Sequence, residues 1–271
     1  MKLGVFVLIH DHDMREEFRR LRDNGFTTCQ LQVWDDNDKT DEKAAEINAA
    51  KEEFGIEITA LWCGWSGPSK WNFTEGPCTL GIVPTAYRHH RMEELMRGCD
   101  FAVKIGVTDV ITHMGFIPEN PNTTEYAEVV AAIRNLAEYF KSKDRWLLFE
   151  TGQETPVTIL RTIETVGTGN LGINLDTANL ILYGKANPVD ALDVFGKYVR
   201  NTHMKDGCYP TNGSELGVEV PIGQGKVNFP SLIAKFKEIG YDGPLTIERE
   251  ISGDQQIKDI LESKAYLESL L

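Results

Sequence analysis

Eight short apolar runs alternate along the chain with longer stretches whose apolar positions recur at helical spacing. The runs occupy 3–9, 27–33, 56–63, 108–113, 146–150, 171–175, 199–204 and 244–248, and the helical stretches include 14–24, 41–54, 88–105 and 126–141. Several helical stretches run into a glycine, at Asn24-Gly25, Phe54-Gly55, Ile105-Gly106 and Ile239-Gly240, where the left-handed turn that ends a helix costs least. Strand–helix alternation predicts parallel strands joined by crossover helices, and eight such units predict an α/β fold, a single closed (β/α)8 barrel over residues 1–271. The rhythm lies in the order of elements and not in a residue-level repeat.

Four of the later runs stop at a residue able to hold a metal: WLLF at Glu150, LGINL at Asp176, VRNT at His203 and PLTI at Glu248. Successive parallel strands of a closed barrel release their last side chains around one rim, so three carboxylates and one imidazole are expected to converge. Such an oxygen and nitrogen donor set suits Mn²⁺, Mg²⁺ or Co²⁺, with Zn²⁺ also allowed, better than a thiolate-seeking metal. The connections leaving the third and seventh runs, 64–85 and 207–228, are long, whereas those entering runs are short. Length concentrated on the strand-exit side predicts lids over a pocket.

Composition narrows the partners. The 271 residues carry a formal charge of -13 and no basic patch, which argues against binding a phosphate backbone and for a small polar substrate. The five cysteines, Cys29, Cys63, Cys78, Cys99 and Cys208, lack the paired spacing of zinc or redox motifs and suggest reduced thiols in a cytoplasmic protein. The opening MKLGVFVLI is too short to span a membrane and reads as the first strand. Nothing in the chain fixes an oligomeric state, and a homo-oligomer is compatible with it.

A divalent ion on the quartet leaves coordination positions for two neighbouring sugar oxygens, and it stabilises the enediolate formed when a proton leaves carbon beside a carbonyl. Glu150 and Glu248 can then serve as base and acid on two faces of the sugar, giving epimerisation or isomerisation. Lesser candidates surround them. His113, closing ITHMG, is placed to bind a substrate oxygen or a second ion, or else to pack as a core histidine. His10 fits a structural role best. Trp34, Trp62 and Trp65 can stack on a sugar or fill the core. Glu154 can orient a ligand or substrate, or charge a helix N-terminus. In HMKDG, Lys205 can steady a substrate oxygen or pair with Asp206 at the surface, and IGQGKVN can offer amides to a phosphate or form a turn. Arg88, His89, His90 and Arg91 read as a solvated helix face.

These segments, LLFETG, INLDTANLILYG, HMKDG and VPIGQGKVNFPSLIAKFKEIGYDGPLTIERE, resemble the xylose isomerase-like TIM barrels, the sugar phosphate isomerase/epimerase superfamily, and with the eight-unit order the likeness spans the chain. The resemblance implies a xylose isomerase-like TIM barrel domain over 1–271, with Glu150, Asp176, His203 and Glu248 as metal ligands and the two glutamates as the acid/base pair. Asn179 stands where ketose 3-epimerases usually carry a substrate-binding histidine, and KDGCYP lacks the arginine they place after the ligand histidine. A simple ketose 3-epimerase is therefore disfavoured, and inosose dehydratase-like lyases, which share the HMKDG and GQG region, compete with an isomerase or epimerase. Apurinic-site endonucleases gather three zinc ions with histidines absent here. A sugar-binding barrel without turnover is the remaining class.

Overall fold

The computed structural model describes residues 1–271. Its first half runs β1 (Leu3–Leu8), α1 (Met14–Asp23), β2 (Thr28–Val33), α2 (Asp41–Phe54), β3 (Glu57–Cys63), α3 (Gly76–Thr79), α4 (Thr85–Lys104), β4 (Asp109–Thr112) and α5 (Thr124–Lys141). The second half runs β5 (Trp146–Glu150), α6 (Pro156–Val166), β6 (Leu171–Asp176), α7 (Asn179–Leu182), α8 (Pro188–Phe195), β7 (Val199–Met204), β8 (Asp206–Cys208), β9 (Val218–Val220), α9 (Phe229–Glu238), β10 (Leu245–Ile247) and α10 (Asp254–Glu268). Eight of the strands close in the order β1-β10-β7-β6-β5-β4-β3-β2, all parallel, which is the (β/α)8 barrel the alternation predicts. The four glycine stops, Gly25, Gly55, Gly106 and Gly240, all take positive φ.

Polar caps explain where helices begin. Thr40, Thr123, Thr155 and Asn228 each accept a backbone N–H of the first turn of α2, α5, α6 and α9, leaving fewer orphan amides at those ends. Outward-facing residues of the strands pack beneath the helices in one large apolar core, whereas Ala60, Trp62, Ile111 and Leu148 form a small separate cluster inside the barrel. The inner floor is polar. Gln30 Nε2 lies 3.3 Å from Oδ1 of both Asn174 and Asn201, Asn201 donates to Asp109 at 2.8 Å, and Arg200 pairs with Asp109 at 2.9 Å.

Both long strand-exit loops are built segments. Loop 64–84 is held by Arg91 of α4, which is fully buried and donates to the carbonyls of Ser66, Pro68, Thr79 and Gly81 between the rings of Tyr87 and Trp65. Arg88 adds bonds to the carbonyls of Ile82 and Val83. The expected solvated face is thus corrected for both arginines, while His89 and His90 do point to solvent. Gly81, at φ 67°, presses on β4's exit so closely that a Cβ would sit 2.0 Å from Met114 O. The loop after β7 folds into an antiparallel ribbon, β8 with β9, which its three-residue strands did not reveal in the sequence. The two loops meet: Asn72 bridges Glu215, and Phe73 N donates to Ser214 O at 2.9 Å.

Candidate metal centre

Side chains alternate along a strand, so the inward parity that puts Asn174 and Asn201 on the floor puts Asp176 and His203, two residues on, at the rim. Asp176 and His203 are direct cross-strand partners on β6 and β7, and His203 also pairs with Thr246 of β10, two residues before Glu248. Glu150 ends β5. One ligand atom from each of Glu150, Asp176, His203 and Glu248 falls within 4.8 Å of the others, and all four residues are buried. β10 stops one residue before Glu248, as β4 does before His113, although Glu248 N still donates to Met204 O at 3.2 Å.

His203 organises the cluster. Its Nδ1 lies 2.8 Å from Glu150 Oε1, 3.2 Å from Glu248 Oε2 and 3.9 Å from Asp176 Oδ2. Its Nε2 meets Gln30 Oε1 at 2.7 Å, and an amide oxygen can only accept, so Nε2 carries a proton and Nδ1 is the atom turned to the carboxylates. Two threonines fix the strand ends beside it. Thr151 Oγ1 donates to Asp176 O and accepts from Asp176 N, and Thr177 Oγ1 does the same with Lys205 O and N.

Burial raises the Asp176 carboxyl to about 8. Burial would raise Glu150 and Glu248 too, but His113 and His203 hold Glu150 below its ordinary value, and Lys205 and His203 hold Glu248 well below. Against its own burial, His203 is pushed up to about 10 by Glu248 and Glu150. Three carboxylates gather around one imidazole, and Asp176 Oδ2 accepts no hydrogen bond of good geometry, with Lys205 Nζ at 3.1 Å as its nearest cation. The oxygen and nitrogen donors fit a hard or borderline divalent ion, and no thiol belongs to the group.

Lys205 is the buried cation that faces this charge. Its Nζ lies 3.1 Å from Asp176 Oδ2, 3.1 Å from Glu248 Oε2 and 3.2 Å from Glu250 Oε1, so it is no surface partner of Asp206. Asp206 instead accepts the amides of Gly207, Gly223, Gly225 and Val227. IGQGKVN is therefore a turn whose amides already have their acceptor, and a Cβ on Gly225 would meet Asp206 Oδ1 at 2.2 Å.

A cavity of about 340 Å³ opens above the cluster, lined by Glu150, Glu248, Glu250, His113, Asn179, Gln32, Trp34, Trp62, Trp71, Leu182, Tyr183 and Leu216. Glu150 and Glu248 of the cluster reach it, and Asp176 and His203 stand behind. Trp62 Nε1 donates to Glu150 Oε2, and His113 Nε2 lies 3.4 Å from the same oxygen. His113 Nδ1 donates to Gln153 Oε1 at 3.1 Å, while Gln153 Nε2 donates to Tyr183 OH at 3.0 Å, an orientation that turns Nε2 of His113 toward the cavity side. Burial lowers His113, favouring the neutral ring.

Of the predicted substrate contacts, His113, Trp62 and Asn179 line the cavity, and Lys205 lies just beneath it. Glu154 is not among the lining residues: it is buried with neither carboxylate oxygen hydrogen-bonded. Trp65 is core, and His10 is exposed on Asp38. Trp71, Tyr183, Gln153 and Glu250 went unread, since loop and short-helix residues carry no period. Gln30 and Gln32 were legible as a polar alternation in CQLQV, a strand otherwise apolar.

A profile of the family described as xylose isomerase-like TIM barrel matches residues 18–270. Among solved structures, a xylose isomerase domain protein from Planctomyces limnophilus is 35% identical with TM-score 0.92, covering 99% of this chain and 96% of its own. A 3-keto-D-glucoside 4-epimerase from E. coli shares the fold at TM-score 0.74 and 17% identity, covering 99% of both chains. So does a probable 3-DHS dehydratase from Bacillus anthracis, at TM-score 0.71 and 19% identity over 99% of both. An uncharacterized protein of Methanocaldococcus jannaschii is 32% identical over 118 residues, 43% of this chain, and the match spans 37% of that relative's length.

Proposed function

The chain belongs to the xylose isomerase-like TIM barrel family, and from that premise we propose that it is a divalent-metal-dependent isomerase or epimerase of a sugar or keto-sugar. The observation that carries this reading is the split of the quartet: Glu150 and Glu248 reach the cavity while Asp176 and His203 anchor behind them. Glu150, Asp176, His203 and Glu248 would hold the ion. When bound, it supplies Lewis-acid stabilisation to negative charge developing on a carbonyl oxygen.

The chain's own residues do the rest. One glutamate takes the proton from the carbon beside the carbonyl, and the other returns a proton to the opposite face of that carbon, or to the neighbouring carbon while the hydroxyl proton passes to the former carbonyl oxygen. Trp62 Nε1 steers Glu150, while Lys205 and His203 steer Glu248, so each carboxylate is oriented from a different side. His113 Nε2 offers a lone pair to a substrate hydroxyl, Asn179 a neutral amide, and Lys205 a positive charge beneath the oxygens. Trp34, Trp71 and Tyr183 help wall the reacting carbon from water.

Loss of a hydroxyl from the same carbanion would make the protein a dehydratase, the activity ascribed to the Bacillus anthracis relative. Incubation of the metal-loaded protein with keto-sugars in ²H₂O separates the two. Deuterated isomers with unchanged formula are expected, at one divalent ion per chain by elemental analysis. Glu150→Gln and Glu248→Gln are each expected to slow exchange roughly 10²–10⁴-fold. Dehydrated, deuterated products support the lyase instead, and absence of exchange over the whole panel overturns both.

A further inference from the structure

We propose that the cavity selects an uncharged, unphosphorylated sugar, held between the tryptophan wall and Trp71 of the lid. This rests on the reading of the site as a sugar enzyme and adds the substrate class. Three separate observations carry it.

The first is the balance of charge. No lysine or arginine lines the cavity, and its ionisable lining is Glu150, Glu248, Glu250 and His113. Lys205 is the one cation within reach, and it already lies within 3.2 Å of three carboxylates. Even with a divalent ion in place, that ion and Lys205 merely cancel Glu150, Asp176 and Glu248. Glu250 remains, its side chain 59% exposed, so a phosphate dianion would meet a negative mouth with no counter-charge.

The second is the fate of the backbone amides. A barrel commonly grips phosphate with amides of its last strand-exit loops. Here the amides of Gly223, Gly225 and Val227 are all spent on the buried Asp206 carboxylate, and the helix after the last barrel strand, α10, carries Asp254 in its first turn.

The third is shape. Trp34 and Trp62 stack with ring centroids 5.2 Å apart at 21°, giving the cavity a broad indole surface. Trp71 comes from loop 64–84, stands edge-on to His113 at 5.1 Å, and keeps 39% of its surface exposed. Aromatic faces bind the C–H faces of a sugar ring, and a volume of about 340 Å³ is at the small end for ligand pockets, which suits one sugar unit.

The test measures binding by tryptophan fluorescence and calorimetry on the full-length, Mn²⁺-loaded protein, using free ketohexoses and their 1- and 6-phosphates. Free sugars are expected to bind saturably, and the phosphates at least about 100-fold more weakly. Trp71→Ala should weaken the free sugars about tenfold, with an unaltered melting temperature. Phosphates that bind as tightly as their parent sugars overturn the proposal, as does a panel in which no free sugar binds; an unaffected Trp71→Ala overturns the stacking role. Binding without deuterium exchange removes the catalytic reading and leaves this one standing. Exchange confined to phosphorylated sugars does the reverse.

Discussion

Thr151 and Thr177 each follow a carboxylate of the candidate metal centre by one position, and each uses a single hydroxyl to close a donor–acceptor pair with the backbone of the next strand. Such a clasp costs little and sets a ligand's backbone to a fraction of an ångström, which metal coordination demands. The clustering of Glu150, Asp176, His203 and Glu248 was legible because a strand end is a marked place in a sequence. Glu154 was not, since four residues past Glu150 the chain has turned inward and nothing local records that the rest of the fold covers it. Burial raises its carboxyl to about 8, so the folded protein keeps a proton that the unfolded chain releases near its ordinary value of 4.5. The stability it permits is complete below the unfolded value and drains away as pH rises through the folded one. Glu154→Gln should therefore flatten the loss of stability between roughly pH 5 and 8, a gain on the order of a few kcal/mol at the alkaline end. Thermal unfolding across that range measures it, and parallel curves for the two proteins would exclude the effect.

At the scale of elements, the first lid owes its shape to α4. Arg91 serves four loop carbonyls at once, although burial lowers its guanidinium to about 10. Arg91→Ala leaves those carbonyls unpaired and is expected to cost about 3 kcal/mol or more, whereas His89→Ala should stay within about 0.5 kcal/mol. Chemical denaturation compares them, with proteolysis of loop 64–84 as the local readout; equal stability of the two variants would mean that the loop holds its own shape. Lid lengths could be read from spacing, and helix ends from glycine. The charged tetrad could not, because its two outer arginines are covered and its two inner histidines are open, and a cluster of like charge looks solvated until its cover is known. The β8–β9 ribbon was equally hidden: its paired strands are too short to show alternation.

For the whole molecule, the order of elements was enough to specify a closed barrel, because eight strand–helix units leave no edge to place elsewhere. What the order cannot convey is the polar shaft inside, from Arg200 and Asp109 through Asn201 to Gln30 and His203, since its members lie on three different strands. A centre that gathers three carboxylates at its rim should be steadied by a divalent ion. At about 100 times its dissociation constant, Mn²⁺ is expected to stabilise the chelator-treated protein by about 2.7 kcal/mol, raising the melting temperature by roughly 5–10 °C. A calorimetric scan that does not move with Mn²⁺ would count against the centre. The bonds between residues 72–73 and 214–215 tie together the two long loops that flank the cavity. Loops that share main-chain hydrogen bonds move less freely than either would alone, so a substitution that loosens one is expected to raise the mobility of the other.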